Sequence, residues 1–141
     1  MPENQPKPAI KVVLDTNILV SSLITLNGNC SAVLKLAVER KILIFYSAEI
    51  LNEYNCVLHQ PKLSFAPSKI KTHINLILRK GVAMETEKST IEMTDESDRK
   101  FYDLHKTTDA ILITGNIKHF PKEESIMKPA DFMEYSKAYL D

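Results

Sequence analysis

Lys11-Val12-Val13-Leu14-Asp15-Thr16-Asn17 is the stretch that decides the fold. After its lysine the run is short, β-branched and uncharged, which suits a strand buried on both faces, as the strands of parallel sheets are. Runs of the same kind follow at Ile42-Leu43-Ile44-Phe45-Tyr46 and Ala110-Ile111-Leu112-Ile113-Thr114. Between them lie longer segments with helical spacing. Residues 17–26 and 31–40 form two such segments, broken at Asn27-Gly28-Asn29. Ser47 reads as the N-cap of a helix to about residue 59, stopped by Pro61, and Ser68 as the cap of a helix over 69–80, ended by Gly81. An amphipathic helix is expected over 95–106, with small strands at 82–84 and 125–127. Pro129 opens a last helix over 130–140, at the turn where a missing N–H does no harm. This alternation predicts an α/β fold: three layers, α/β/α, around a central parallel sheet of four to five strands.

Composition narrows the function. The chain has 141 residues, 44% hydrophobic and 26% charged, which describes one globular domain. Residues 1–9, with Pro2, Pro6 and Pro8, read as a flexible leader, and 10–141 as a single domain. The leader has no apolar core of signal-peptide type, and no apolar run approaches the roughly 18 residues needed to span a bilayer, so a cytoplasmic location is expected. Lysine plus arginine and aspartate plus glutamate both number 18, which excludes a strongly basic protein held on nucleic acid by bulk charge. The three glycines, Gly28, Gly81 and Gly115, are too far apart for a phosphate-cradling loop. Cys30 and Cys56 match no zinc spacing and read as free thiols.

In open parallel sheets ligands bind beyond the carboxyl ends of the strands, and acids gather there in this sequence. Asp15 follows the first strand, where it either caps the next helix or serves a site. Glu53 stands one turn from Ile50 and Val57, at the border of a buried face, where a carboxylate needs a cation or donors. A salt-bridged surface acid would occupy the same position. Asp98 stands one turn before Phe101 and Tyr102; acids in a first turn also meet the helix dipole favourably. From Glu85 to Asp98 there are six acids against Lys88 alone, the pattern either of a solvated loop or of the approach to a cation. Were the three acids to converge, their oxygen donors would suit Mg²⁺ or Mn²⁺ rather than zinc, and phosphodiester chemistry would follow. Asp109 precedes its strand, at the opposite end, and is read as structural.

Val12-Val13-Leu14-Asp15-Thr16-Asn17-Ile18-Leu19-Val20-Ser21 resembles the opening of PIN-domain nucleases. So does Ser47-Ala48-Glu49-Ile50-Leu51-Asn52-Glu53-Tyr54, with Val57-Leu58 and Pro61-Lys62-Leu63 after it. Asp98-Arg99-Lys100-Phe101, followed by Ala110-Ile111-Leu112-Ile113-Thr114-Gly115-Asn116-Ile117-Lys118-His119-Phe120-Pro121, resembles the branch classed as toxin components of toxin–antitoxin systems, the VapC-like proteins. The blocks stand in family order and cover nearly all of the chain after residue 10.

The resemblance implies an acidic pocket for Mg²⁺ or Mn²⁺ and metal-dependent endoribonuclease activity, with a small antitoxin protein as partner and a homodimeric state. Asp15, Glu53 and Asp98 match the family's catalytic, metal-binding acids. The fourth position is commonly aspartate; here it is Asn116, whose amide oxygen can still coordinate metal but carries no charge. That departure implies weaker metal binding, and one ordered ion where an all-acid pocket holds two. Thr16 and Thr114 match polar positions beside the pocket. Lys62, Lys100 and Lys118 are candidate RNA contacts, and His119 is read as fixing a loop. The alternative is a catalytically weak PIN module that binds RNA or a protein partner. An aspartyl-nucleophile phosphatase fits less well, because no second aspartate follows Asp15 two positions on.

Overall fold

In the computed structural model, which describes residues 7–140, β1 (Ile10–Leu14) and β2 (Ile42–Tyr46) show why the sheet has to be covered. Every residue of β1 is buried except Lys11, and every residue of β2 except Leu43. Strands with no polar face are stable only at the centre of a sheet with helices on both sides. Lys11 runs out to donate to the Thr108 carbonyl at 2.9 Å. β3 (Val82–Ala83), β4 (Ile111–Ile113) and β5 (Ile126–Met127) complete an all-parallel sheet in the order β3-β2-β1-β4-β5. Val12 pairs with Ile44 on one side and Ile111 on the other, which makes β1 the central strand.

The helices α1 (Thr16–Ile24), α2 (Asn29–Val38), α3 (Ala48–Leu58), α4 (Pro67–Lys80), α5 (Arg99–Thr108) and α6 (Pro129–Leu140) flank the sheet in a three-layer α/β/α arrangement. The cap of α3 is as the sequence implies: Ser47 Oγ accepts from the Ile50 N–H at 3.2 Å. The core joins Val12, Val13 and Leu14 to Ile18, Leu19, Ile50, Leu58, Ile77, Leu104, Leu112 and Phe132. Phe101, Tyr102 and Phe120 are buried too. Cys30 and Cys56 are free. Among the described residues no single helix is long and apolar enough to cross a membrane.

Several boundaries differ from expectation. α4 begins at Pro67 with Ala66 in the cap position, so Ser68 lies inside the helix rather than capping it; the fixed φ of proline, invoked for Pro129, acts at Pro67 too. The helix expected over 95–106 is a short 3₁₀ turn, Glu96–Asp98, followed by α5, which runs on to Thr108. Asp109 closes α5 in the left-handed region at φ 57°, a conformation aspartate tolerates, and so serves the helix-to-strand turn. Residues 1–6 of the expected leader lie outside the described residues; farther along it, the Pro8 carbonyl accepts from the Tyr139 hydroxyl at 3.2 Å.

Chain order places the site. β2 and β3 are laid down on one side of β1, and β4 and β5 on the other. The connections therefore diverge between β1 and β4 and open a crevice at the carboxyl ends of those strands.

Candidate active site

Asp15 leaves β1 at that crevice. It occupies the N-cap position of α1, yet its side chain makes no capping bond. Instead Asp15 Oδ2 accepts from the Thr114 hydroxyl at 2.7 Å, across the gap from the end of β4. A second link runs beside it: the Gly115 N–H donates to Asn17 Oδ1 at 3.2 Å. The Asn116 N–H in turn donates to Thr114 Oγ1 at 3.0 Å, so the turn after β4 is built around the threonine that holds Asp15.

Only 6% of Asp15 is exposed, and its pKa is pushed up from 3.8 to about 6. Burial is the main cause, the Thr114 hydrogen bond opposes it, and the charges of Asp98 and Glu53 push the same way as burial. Beneath it, the buried Tyr54 hydroxyl donates to the Leu14 carbonyl at 2.6 Å. Burial drives the Tyr54 pKa well up, helped by the charges of Asp15 and Glu53, so the phenol stays neutral.

Glu53 reaches the crevice from the middle of α3, at the half-buried border its spacing implies. Both oxygens are engaged: Oε2 accepts from the Thr16 hydroxyl, and Oε1 meets Lys100 Nζ at 2.6 Å. Asp98 arrives from the 3₁₀ turn before α5. Burial raises its pKa, as does the charge of Asp95, while His119 opposes them. His119 Nδ1 lies 3.3 Å from Asp98 Oδ2, yet that oxygen is buried with no hydrogen-bond partner.

The fold therefore gathers Asp15, Glu53 and Asp98, with Thr16 and Thr114 holding two of them. Asn116 joins through its backbone; among the described residues its exposed amide has no partner. Lys100 enters the pocket itself. Lys62, in the turn after α3, and Lys118 are exposed and make no hydrogen bond or ion pair with the acids.

Two features have no local signal in the sequence. One is Tyr54, which reads simply as part of an apolar stripe. The other is a clamp on the acidic loop before α5. Arg99, 9% exposed, holds Glu96 through two bonds of 2.6 and 2.8 Å and donates to the carbonyls of Ser89 and Ile91. Buried Asp103 accepts from the Ser89 N–H and hydroxyl. The loop is thus laid along α5, and a cleft of about 390 Å³ lined by Glu49, Thr86, Lys88, Glu96, Arg99 and Lys100 opens between them.

The donor set fits a hard divalent cation: one buried and two half-buried carboxylates whose charges oppose one another, and an Asp98 oxygen with only His119 nearby, at 3.3 Å. Among the described residues, no three acidic, histidine or cysteine side chains are already closed around a common point.

A family model described as a PIN domain matches residues 11–118. Uncharacterized protein MJ1680 of Methanocaldococcus jannaschii is 35% identical over 121 residues, covering 81% of this chain and 76% of that protein. Two solved structures share the fold. PAE2754 from Pyrobaculum aerophilum superposes with a TM-score of 0.58 at 11% identity, covering 97% of this chain and 99% of that one. VapBC2 from Rickettsia felis, bound to a DNA fragment from their promoter, gives 0.54 at 18% identity, covering 77% and 90%.

Proposed function

The chain belongs to the PIN-domain family, and from that premise we propose that it is a metal-dependent endoribonuclease, the toxin of a toxin–antitoxin pair. PIN domains are generally nucleases. The observation that carries the reading is the approach of Asp15, Glu53 and Asp98 to one another at the divergence between β1 and β4, close enough for the charges of Glu53 and Asp98 to raise the pKa of Asp15. Asp15 and Asp98 would hold Mg²⁺ or Mn²⁺, with Glu53 acting directly or through water. When bound, such a cation polarises the phosphodiester and lowers the pKa of the attacking water.

The remaining work falls to the chain. The Thr114 hydroxyl fixes the carboxylate of Asp15, and the Thr16 hydroxyl fixes that of Glu53. Tyr54 pins the Leu14 carbonyl, and with it the strand end from which Asp15 projects. No serine, cysteine or histidine nucleophile is needed. Lys62 and Lys118 are exposed where they can meet the RNA backbone. A small antitoxin protein, a homodimeric state and a cytoplasmic setting belong to the same proposal; the VapBC2 likeness supports the partner.

The test is cleavage of a mixed-sequence single-stranded RNA with Mg²⁺, Mn²⁺ or EDTA, wild type beside an identically purified Asp98→Asn preparation. Metal-dependent cleavage by wild type alone is expected. Equal cleavage by both, or none by folded wild type, refutes the assignment.

Asn116 favours a second reading, a catalytically weak module that binds RNA or a protein partner, because its neutral amide stands where the family commonly has aspartate. On that reading wild type binds RNA without turnover, and Asn116→Asp gains metal-dependent cleavage.

A further inference from the structure

We propose that Lys100 is a built-in cation of the acidic crevice: its ammonium holds Glu53 and takes the place of a second divalent ion, so that the pocket accepts a single metal ion on Asp15 and Asp98. The inference rests on the metal-dependent reading above and assigns Lys100 a positioning role within it.

The placement of Lys100 goes against ordinary preference. It stands in the first turn of α5, where the positive end of the helix disfavours a lysine. Long basic side chains normally carry their heads out to water. Lys106, farther along the same helix, does so with its side chain 54% exposed, whereas that of Lys100 is only 10% exposed. Three partners hold it in. Nζ meets Glu53 Oε1 at 2.6 Å, donates to the Ser97 carbonyl, and lies 5.3 Å from the centre of the Phe101 ring.

The acids are consequently not equivalent. Glu53 has both oxygens engaged, by Lys100 and by Thr16, whereas Asp98 Oδ2 has only His119 Nδ1 nearby, at 3.3 Å and outside hydrogen-bond geometry. Asp95, nearby, is exposed and already accepts from the Ser97 N–H and hydroxyl. Asn116 adds no charge. With His119, 3.3 Å from Asp98, neutral, three carboxylates against one ammonium leave two negative charges, which one divalent cation neutralises. A second such ion would have to sit against the ammonium of Lys100, where like charges in a partly desolvated crevice repel strongly.

The experiment counts Mn²⁺ bound by the intact chain, without RNA, from the electron-spin-resonance signal of free Mn²⁺. Calorimetry supplies affinities, and RNA cleavage is assayed in parallel. Wild type and K100R should bind one Mn²⁺ per chain, and K100M should bind its first Mn²⁺ at least ~10-fold more tightly and admit a second, weaker one. The charge count is checked in a second pair, which also carries the test should K100M alone not fold: adding K100M to E53Q should tighten Mn²⁺ binding at least ~10-fold. Two ions or none on wild type, or K100M still binding one with unchanged affinity, overturns the proposal, as does the absence of tightening in the E53Q pair. Cleavage separates the two readings. The expected ion counts without cleavage by wild type would leave Lys100 its role and remove the nuclease; metal-dependent cleavage with K100M unchanged in both ion count and affinity would do the reverse.

Discussion

Replacing Asp15 by asparagine should make the metal-free protein more stable while removing its activity. The pKa of Asp15 rises from 3.8 to about 6 on folding, chiefly through burial. A carboxyl group raised in this way opposes folding wherever it must be ionised. Below about pH 4 it is protonated in both states and the penalty is absent. Between pH 4 and 6 the folded chain keeps a proton that the unfolded chain gives up, so stability falls as pH rises, and above pH 6 the loss is complete. A displacement of roughly two pH units corresponds to about 3 kcal/mol. Partial access to water reduces this, so Asp15→Asn should gain about 1–3 kcal/mol at pH 7, or roughly 3–10 °C in Tm. The asparagine oxygen can still accept from Thr114, which leaves the link between β1 and β4 intact. Urea unfolding of both proteins in EDTA, from pH 4 to pH 8, measures the difference. The gap should open between pH 4 and 6 and stay constant above. A mutant less stable than wild type at pH 7, or a gap of the same size at every pH, would refute the electrostatic account of the pocket.

Two further outcomes test the frame that holds the acids. Gly81→Ala should cost about 1–3 kcal/mol in urea unfolding, since a Cβ there would lie 2.5 Å from the Ile77 carbonyl oxygen and 2.9 Å from that of Ile44, backbone atoms at the junction of α4 and β3; a neutral result would mean that the junction yields. Tyr54→Phe should cost about 1–2 kcal/mol by leaving the Leu14 carbonyl without its buried donor, and metal-dependent cleavage should persist where the variant is folded. Cleavage lost at full stability would give the hydroxyl a part in the chemistry.

The sheet was legible because its signal is local. A strand such as Val12-Val13-Leu14 has nowhere to go but the interior, and the turn chemistry of Ser47 and Pro129 marks helix starts without reference to the rest of the chain. Pro67 carried the same signal, and it competed with a good capping residue one position on. The acids were legible as candidates only. Whether Asp15 caps α1 or faces a crevice depends on Thr114, 99 residues away, and no window around Asp15 contains that information. Lys100 is the extreme case. Its neighbours make it a first-turn lysine bound for solvent, and only the packing of α5 beside α3 brings it to Glu53, 47 positions earlier in the chain.

These long-range pairs share one design. The acids are met to different degrees: Asp15 by a hydroxyl from the end of β4, Glu53 by a hydroxyl and an ammonium, and Asp98 by His119 alone, 3.3 Å from its Oδ2. Satisfying all of the carboxylates equally would make a more stable metal-free fold and a poorer cation site, since an ion would then displace a full set of bonds. Leaving all of them bare would put three repelling charges at the end of a buried strand. The arrangement found lies between these limits, with the glutamate neutralised and the aspartates less so. Stability and cation affinity should therefore move in opposite directions when Asp15 or Asp98 loses its charge, and loss of the Lys100 charge should raise affinity while weakening the fold.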